Sequence, residues 1–253
     1  KLPFFKPFKG QDQLMKTRIL SLAAAGLLMT VGSVQAQSLT ANFAVSNNYI
    51  WRGLTQSVND PAVSGGLDWA SDSGFYLGTW ASNVSYTNED SSLFNYEHDI
   101  YGGFSGEAGG LAYDVGYLYY NYDSQAEFDF SELYGSVGIG GFTFGAYILV
   151  DTEADEGPGQ DFGFGEATYI YADYVMEVGN GVEVGFHVGH HEGDFNEAFN
   201  GVTGNYLDYN ISIAKDGFSF MITDTDTGSE DSPAFLDNGE VKFVVGYSMD
   251  FEL

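Results

Sequence analysis

The chain has 253 residues, no cysteine, and 36 acidic residues against 8 basic ones, for a formal net charge of −28. That excess of acid repels nucleic acid and anionic lipid headgroups, which removes both from the expected partners and leaves cations as the natural counterions. Without cysteine no disulfide can hold the fold, so export to an oxidising compartment can be read only from a targeting segment.

Such a segment opens the chain. Residues 1–14 precede Met15 and read as upstream sequence. Met15-Lys16-Thr17-Arg18 is a positive start, Ile19 to Val31 is a short apolar core, and Val34-Gln35-Ala36 is a small-x-small cleavage site, so residues 15–36 read as a signal peptide. The apolar run is too short and too rich in Ala and Gly for a membrane helix. The expected mature chain, residues 37–253, carries 35 acids against Arg52, Lys215 and Lys242, a formal charge of −32.

The stretch from Asn42 to Val84 sets the pattern for the rest. Asn42-Phe43-Ala44-Val45-Ser46 alternates as a strand, Tyr49 to Gln56 reads as an aromatic rim with one cation, and Ala62 to Trp69 is a second strand. Asp72-Ser73-Gly74 then turns the chain into a third strand, Phe75 to Val84. Twelve alternating segments of about ten residues, the length of a tilted bilayer-crossing strand, follow in order. They are Leu39–Tyr49, Ala62–Ala70, Phe75–Tyr86, Phe94–Ser105, Leu111–Tyr122, Phe130–Ile139, Phe142–Asp151, Ala167–Val178, Val182–His191, Tyr206–Lys215, Phe218–Asp226 and Val241–Phe251.

Five connections are short and carry glycine: Ser71–Gly74, Gly106–Gly110, Gly140-Gly141, Gly179-Asn180-Gly181 and Asp216-Gly217. Each suits a hairpin turn needing positive φ. The connections between them are longer and acidic, as in Thr152–Glu166 and Thr227–Glu240. Turns on one side and loops on the other predict an all-β protein: a closed, antiparallel, up-and-down transmembrane barrel of 12 strands in the bacterial outer membrane. The competing expectation is a secreted β-sandwich, which also alternates but predicts neither this asymmetry nor strand ends such as Tyr117, Tyr119, Tyr120 and Tyr122.

Alternation assigns the faces. Val182, Val184, Phe186 and Val188 oppose Glu183, Gly185, His187 and Gly189; Leu207, Tyr209, Ile211 and Ile213 oppose Asp208, Asn210 and Ser212. Lipid outside and a wet lumen inside fit this division, because only closure satisfies backbone polar groups in a membrane. The last strand, Val241 to Leu253, alternates to its end, and Gly246-x-x-Met249-x-Phe251 is similar to the signal read by the barrel-assembly machinery. Leu253 stands where that signal ends in an aromatic.

The residues Tyr49-x-Trp51-Arg52-Gly53-x-x-Gln56, Asp60-Pro61-Ala62, Gly65-Gly66 and Ser73-Gly74-Phe75-Tyr76-x-Gly78-Thr79-Trp80 carry a family resemblance. With Glu97-x-Asp99-x-Tyr101 and Tyr113-Asp114-x-Gly116-Tyr117, they resemble the TorF-type family of proteobacterial porins over Asn42–Tyr122. The resemblance implies an outer-membrane β-barrel.

Phase counting places Asp68, Glu97, Asp99, Asp114, Glu132, Asp151, Asp173, Glu183 and Asp208 on the lumen side, with Lys242 as their clearest cationic opponent. Carboxylate rings favour cations and neutral or cationic small solutes, so the expected function is a cation-preferring diffusion channel. Outer-membrane lipid and lipopolysaccharide are the expected surroundings. Arg52, with Trp51, is expected at a rim or constriction, either paired with acids such as Asp99 or Asp114 or stacked on Trp51 in the headgroup zone.

Other chemistry is weaker. His187 and His191 fall on one face and His190 on the other, so the three do not converge on one metal. Asp224-x-Asp226-x-Gly228, with Glu230 and Asp231, has part of a calcium loop. No nucleophile motif accompanies the histidines, so neither catalytic residue nor cofactor is expected. The alternative to a channel is a structural or binding barrel, its lumen plugged by Tyr120, Tyr122, Tyr147 and Tyr171.

Overall fold

The computed structural model describes residues 37–87, 92–123, 127–228 and 236–253. The leader, the signal peptide and the loop acids Glu230 and Asp231 lie outside them. Twelve strands close into one antiparallel barrel in sequence order, with the first paired to the last. They are β1 (Ser38–Ser46), β4 (Ala62–Ala70), β5 (Phe75–Thr87), β6 (Ser92–Ala108), β7 (Leu111–Asn121) and β8 (Phe130–Ile139). The circuit continues with β9 (Phe142–Thr152), β10 (Thr168–Gly179), β11 (Val182–Glu192), β12 (Asn205–Lys215), β13 (Phe218–Thr225) and β14 (Lys242–Glu252). The seam is set by Thr40 opposite Glu252 and Ser46 opposite Gly246.

The predicted strands are therefore present, most within one or two residues of their expected ends. There are two exceptions: β1 ends at Ser46, three residues before the expected Tyr49, and β6 runs for 17 residues, so only residues 88–91 separate it from β5 where a longer loop was expected. Two elements were not expected at all. A two-stranded hairpin, β2 (Ile50–Trp51) and β3 (Leu54–Thr55), follows β1, and a helix, α1 (Asp194–Asn200), lies between β11 and β12.

The wall follows from period-two patterning. In β12, Leu207, Tyr209, Ile211 and Ile213 are all at least 40% exposed, while Asp208 between them is 1% exposed. Exposed apolar side chains recur around the circuit, among them Leu67 on β4, Leu77 on β5, Val115 on β7, Ile170 on β10, Val188 on β11 and Phe243 on β14. An apolar band this continuous on a closed barrel faces lipid, and the fold is that of an outer-membrane barrel.

Inside, tyrosines lie over glycines of the adjoining strand. Gly78 is opposite Tyr101 and Gly116 opposite Tyr134. A Cβ at Gly78 would stand 2.2 Å from the Tyr101 ring, and one at Gly116 would stand 2.4 Å from that of Tyr134. Glycine thus makes room for an aromatic lining, which explains why this chain is rich in both.

Candidate functional site

The hairpin does not sit at a rim. From Asn48 to Ser57 every residue is buried, and Leu54 is 0% exposed. The segment folds from the loop end of β1 into the lumen, where its faces meet opposite walls. Ile50 packs with Met221 of β13 and Val244 of β14; Leu54 packs with Val202 and with Tyr206 of β12. The Trp51 ring meets Tyr120 at 6.1 Å, Phe130 at 6.2 Å and Phe199 of α1 at 5.9 Å, all edge-on. Tyr49 donates from its hydroxyl to Glu97 Oε1 on β6 at 2.6 Å.

Buried polar groups in this segment have partners, as burial requires. Asn48 Oδ1 accepts from the Thr55 hydroxyl at 2.7 Å and from Ser57 Oγ at 3.2 Å. The Thr55 N–H donates to Asn238 Oδ1 at 3.1 Å, and the Tyr206 hydroxyl donates to the Arg52 carbonyl at 2.9 Å. Tyr86 donates from its hydroxyl to Gln56 Oε1.

The hairpin turn is Arg52-Gly53, with φ of 49° and 81°. Positive φ at both central residues is the two-residue turn that suits strand twist, and it ordinarily selects Asn-Gly. Gly53 is needed for space as well: a Cβ there would stand 2.5 Å from Asp208 Cβ and 2.6 Å from Thr225 Cγ2. The backbone of the tip is pressed against β12 and β13 while the Arg52 side chain reaches the other way.

Arg52 donates to Glu132 Oε2 at 2.6 Å, and its other terminal nitrogen donates to His191 Nε2 at 3.0 Å. Because arginine only donates, His191 is a neutral acceptor there, with its proton on Nδ1 facing the Tyr206 hydroxyl at 3.3 Å. Three rings surround the guanidinium carbon: Trp51 at 4.2 Å, Tyr169 at 4.5 Å and Tyr147 at 4.9 Å. Burial is the largest single influence and works against the charge, but Glu132, by its charge and its hydrogen bond, together with Tyr120 and Tyr169 outweighs it and holds the Arg52 pKa above its ordinary value. Arg52 is therefore neither a headgroup anchor nor a partner of Asp99 or Asp114. Its stacking on Trp51 occurs inside the lumen, because the connection folds inward.

Eight of the nine singled-out acids stand on inward rows. Glu97, Asp99, Asp114, Glu132, Glu183 and Asp208 are buried, and Asp68 and Asp173 are half-buried. Most are held by tyrosine: Asp68 accepts from Tyr101, Asp114 from Tyr76 at 2.6 Å, Glu132 from Tyr120 at 3.1 Å and Glu97 also from Tyr122 at 2.9 Å. Asp99 differs, since its Oδ1 has no hydrogen-bond partner among the described residues.

Asp151 is the correction. Ser131 pairs with Asp151 but Glu132 pairs with Leu149, so Val150 is an extra residue in β9. This bulge reverses the phase beyond it, and Asp151 is exposed on the outer face. Lys242 points inward but forms no ion pair with an acid side chain among the described residues. Its Nζ donates to the carbonyls of Leu236 and Asp237 at 2.9 and 2.7 Å.

The histidines separate as alternation implies. His190 faces out, with Nε2 at 2.7 Å from Asn205 Oδ1. His187 stands inside between two acids, Nδ1 at 2.6 Å from Asp173 Oδ1 and Nε2 at 3.0 Å from Asp208 Oδ1, with the Tyr169 hydroxyl at 2.8 Å.

Sequence reasoning missed α1 and what it covers. Phe195 and Phe199 share one helical face and pack on Phe130 at 5.0 and 5.1 Å. Phe162, from the loop after β9, meets Phe195 at 5.6 Å. The loop-side half of the lumen is thus closed by an aromatic cluster joining hairpin, wall and helix. The signal in the sequence was Phe195-x-x-x-Phe199 followed by Gly201, whose φ of 62° ends the helix.

Comparison with known proteins bears on the fold. The NanC porin superposes with a TM-score of 0.51 at 8% identity, over 85% of this chain and 100% of that one. The KdgM porin gives 0.49 at 7%, over 85% and 99%. Outer membrane phospholipase A from Escherichia coli gives 0.40 at 12%, over 87% and 98%. The likeness to NanC is one of fold. No curated protein matches the chain. One family matches over residues 31–251, under a description that neither carries the TorF name nor assigns an activity. Matched over most of its length, the chain belongs to that family, the bacterial proteins of unknown function designated Gcw_chp.

Proposed function

We propose that this protein is a non-enzymatic, porin-like channel of the outer membrane, cation-preferring, whose external half is closed by its own first loop in the state described. The observation that carries this reading is the sign of the lumen. The eight carboxylates named above are among the inward acids, and against them stand two inward Lys or Arg side chains among the described residues, Arg52 and Lys242, with Arg52 on the closing element itself. Withdrawal of the hairpin removes that cation from the lumen and leaves a passage lined by acid, which concentrates cations and excludes anions. Asp68, Asp114, Asp173 and Glu183 line its turn-side part, and Glu97, Asp99, Glu132 and Asp208 lie beneath the hairpin.

The test is the reversal potential of the refolded mature chain in a planar bilayer under a salt gradient. A cation-side potential that shrinks when Glu97, Asp99 and Asp114 are neutralised supports the channel. An anion-side potential overturns the preference. A second reading, a non-conducting binding barrel, is favoured by the aromatic packing of Trp51, Tyr120, Phe130 and Phe199. Folded Glu132→Ala protein that still passes no current, although its hairpin has lost its anchor, selects that second reading.

A further inference from the structure

The wall groups that hold Arg52 form a row independent of the hairpin. Tyr134, Tyr147, Tyr169, His191 and Tyr206 are direct register partners across β8, β9, β10, β11 and β12. Paired residues share a face, so the barrel itself aligns these rings across its lumen. Glu132 is the next inward residue on β8 above Tyr134. The strand register, not the hairpin, thus sets the wall positions of the carboxylate, the imidazole and the two tyrosines.

Their chemistry selects a planar fork of donors. Glu132 and His191 accept from two different terminal nitrogens of one guanidinium, while Tyr147 and Tyr169 meet its carbon over their rings. An ammonium has no plane to lay on the rings and cannot span both acceptors in this way. The hairpin gives an independent sign that side-chain recognition set this residue. Position 52 is in the left-handed region, with φ of 49°, where Asn or Gly would be easier. The turn therefore does not account for arginine there, and the contacts do.

We propose that Glu132, Tyr147, Tyr169 and His191 are a guanidinium receptor, that Arg52 is its tethered occupant, and that a free guanidinium solute takes the same place when the hairpin withdraws. This rests on the channel reading only in naming the class of solute that the channel admits, namely small guanidinium compounds with a short alkyl chain. Solute and hairpin then compete for one site, so the solute itself favours the open arrangement.

The experiment uses the full mature chain refolded in detergent, with agmatine as probe and cadaverine, a diammonium of equal charge and similar length, as the comparator lacking the guanidinium. In Arg52→Ala protein, agmatine is expected to raise the thermal midpoint, and cadaverine to do so little or not at all. In Arg52→Ala/Glu132→Gln protein agmatine should bind about tenfold more weakly or worse, as expected for a lost hydrogen bond to a charged group. In the wild type, agmatine should speed cleavage after Trp51 by chymotrypsin, a protease whose apolar specificity pocket does not bind the guanidinium. Arg52→Lys, which keeps a cation but not the fork, serves if Arg52→Ala does not fold and should show the same response to agmatine. Folded variants that ignore agmatine, or that respond equally to cadaverine or without Glu132, overturn the receptor. A barrel that binds agmatine yet carries no current refutes the channel and keeps the receptor; a cation-selective barrel blind to agmatine does the reverse.

Discussion

Along β12, Leu207, Tyr209, Ile211 and Ile213 stand out into the surroundings while Asp208 is buried between them; from Asn48 to Ser57, ten successive residues are buried without any alternation. The two regions are held by different means. The outer face of the wall is specified by apolar side chains against lipid and needs no particular partner for any one of them. The hairpin is specified by particular partners: Arg52 by Glu132, Thr55 by Asn238, Tyr49 by Glu97. A wall substitution should therefore cost according to its depth in the bilayer, and a hairpin substitution according to which partner it leaves buried and alone.

The largest effect that separates the regions is expected from Glu132→Ala. It strands the buried Arg52 charge, at a cost of about 3–5 kcal/mol, so the hairpin should leave its seat while the wall persists. Trypsin can cut residues 37–253 after Arg52, Lys215 and Lys242, so the fragment ending at Arg52, identified by mass, reports on the hairpin. Cleavage after Arg52 should be slow in wild type and fast in the variant, with the heat-modifiable folded band retained; equal cleavage rates would contradict the anchoring. Ile211→Lys, 43% exposed on the lipid face, should cost about 2–4 kcal/mol if it lies near the bilayer midplane. Denaturant unfolding in lipid vesicles measures that cost, and cleavage after Arg52 should remain slow.

Tyr76→Phe leaves Asp114 without its 2.6 Å donor, and should destabilise the barrel by about 1–3 kcal/mol. An unchanged unfolding curve would mean that lumen tyrosines do not stabilise the acids they touch. Asp151→Asn should be the smallest: with the side chain exposed on the outer face, neither stability nor reversal potential should move, whereas Asp114→Asn should shift the potential.

The wall was legible in the sequence because one face of each strand meets an apolar surrounding, and period two survives wherever that holds. Even so, a single bulge at Val150 was enough to reverse Asp151, since alternation carries no record of an inserted residue. The hairpin was legible as an unusual stretch but not as a plug. Tyr49, Trp51 and Arg52 have the composition of a membrane rim, and nothing local distinguishes an aromatic that meets headgroups from one that meets Phe130 and Phe199. The partner of Arg52 lies 80 positions away, on a strand whose facing row depends on every intervening register. The short helix was missed because seven residues hold too little pattern to stand against the surrounding loop.

The position of the hairpin in the chain governs the order in which the molecule can be made. It follows β1 immediately, so it emerges before any of the groups that hold it, which are supplied by β5 through β14. At the seam, Asn47 Oδ1 accepts from the N–H of Val245, 198 positions later. Closure of loops that long is slow and precedes the contacts that reward it. Until β14 arrives, residues 48–57 have no cavity to enter and remain an aromatic segment in water. The plug is thus the earliest inward element in synthesis and among the last to gain its partners, and a barrel halted before closure exposes it to proteases and chaperones at Arg52.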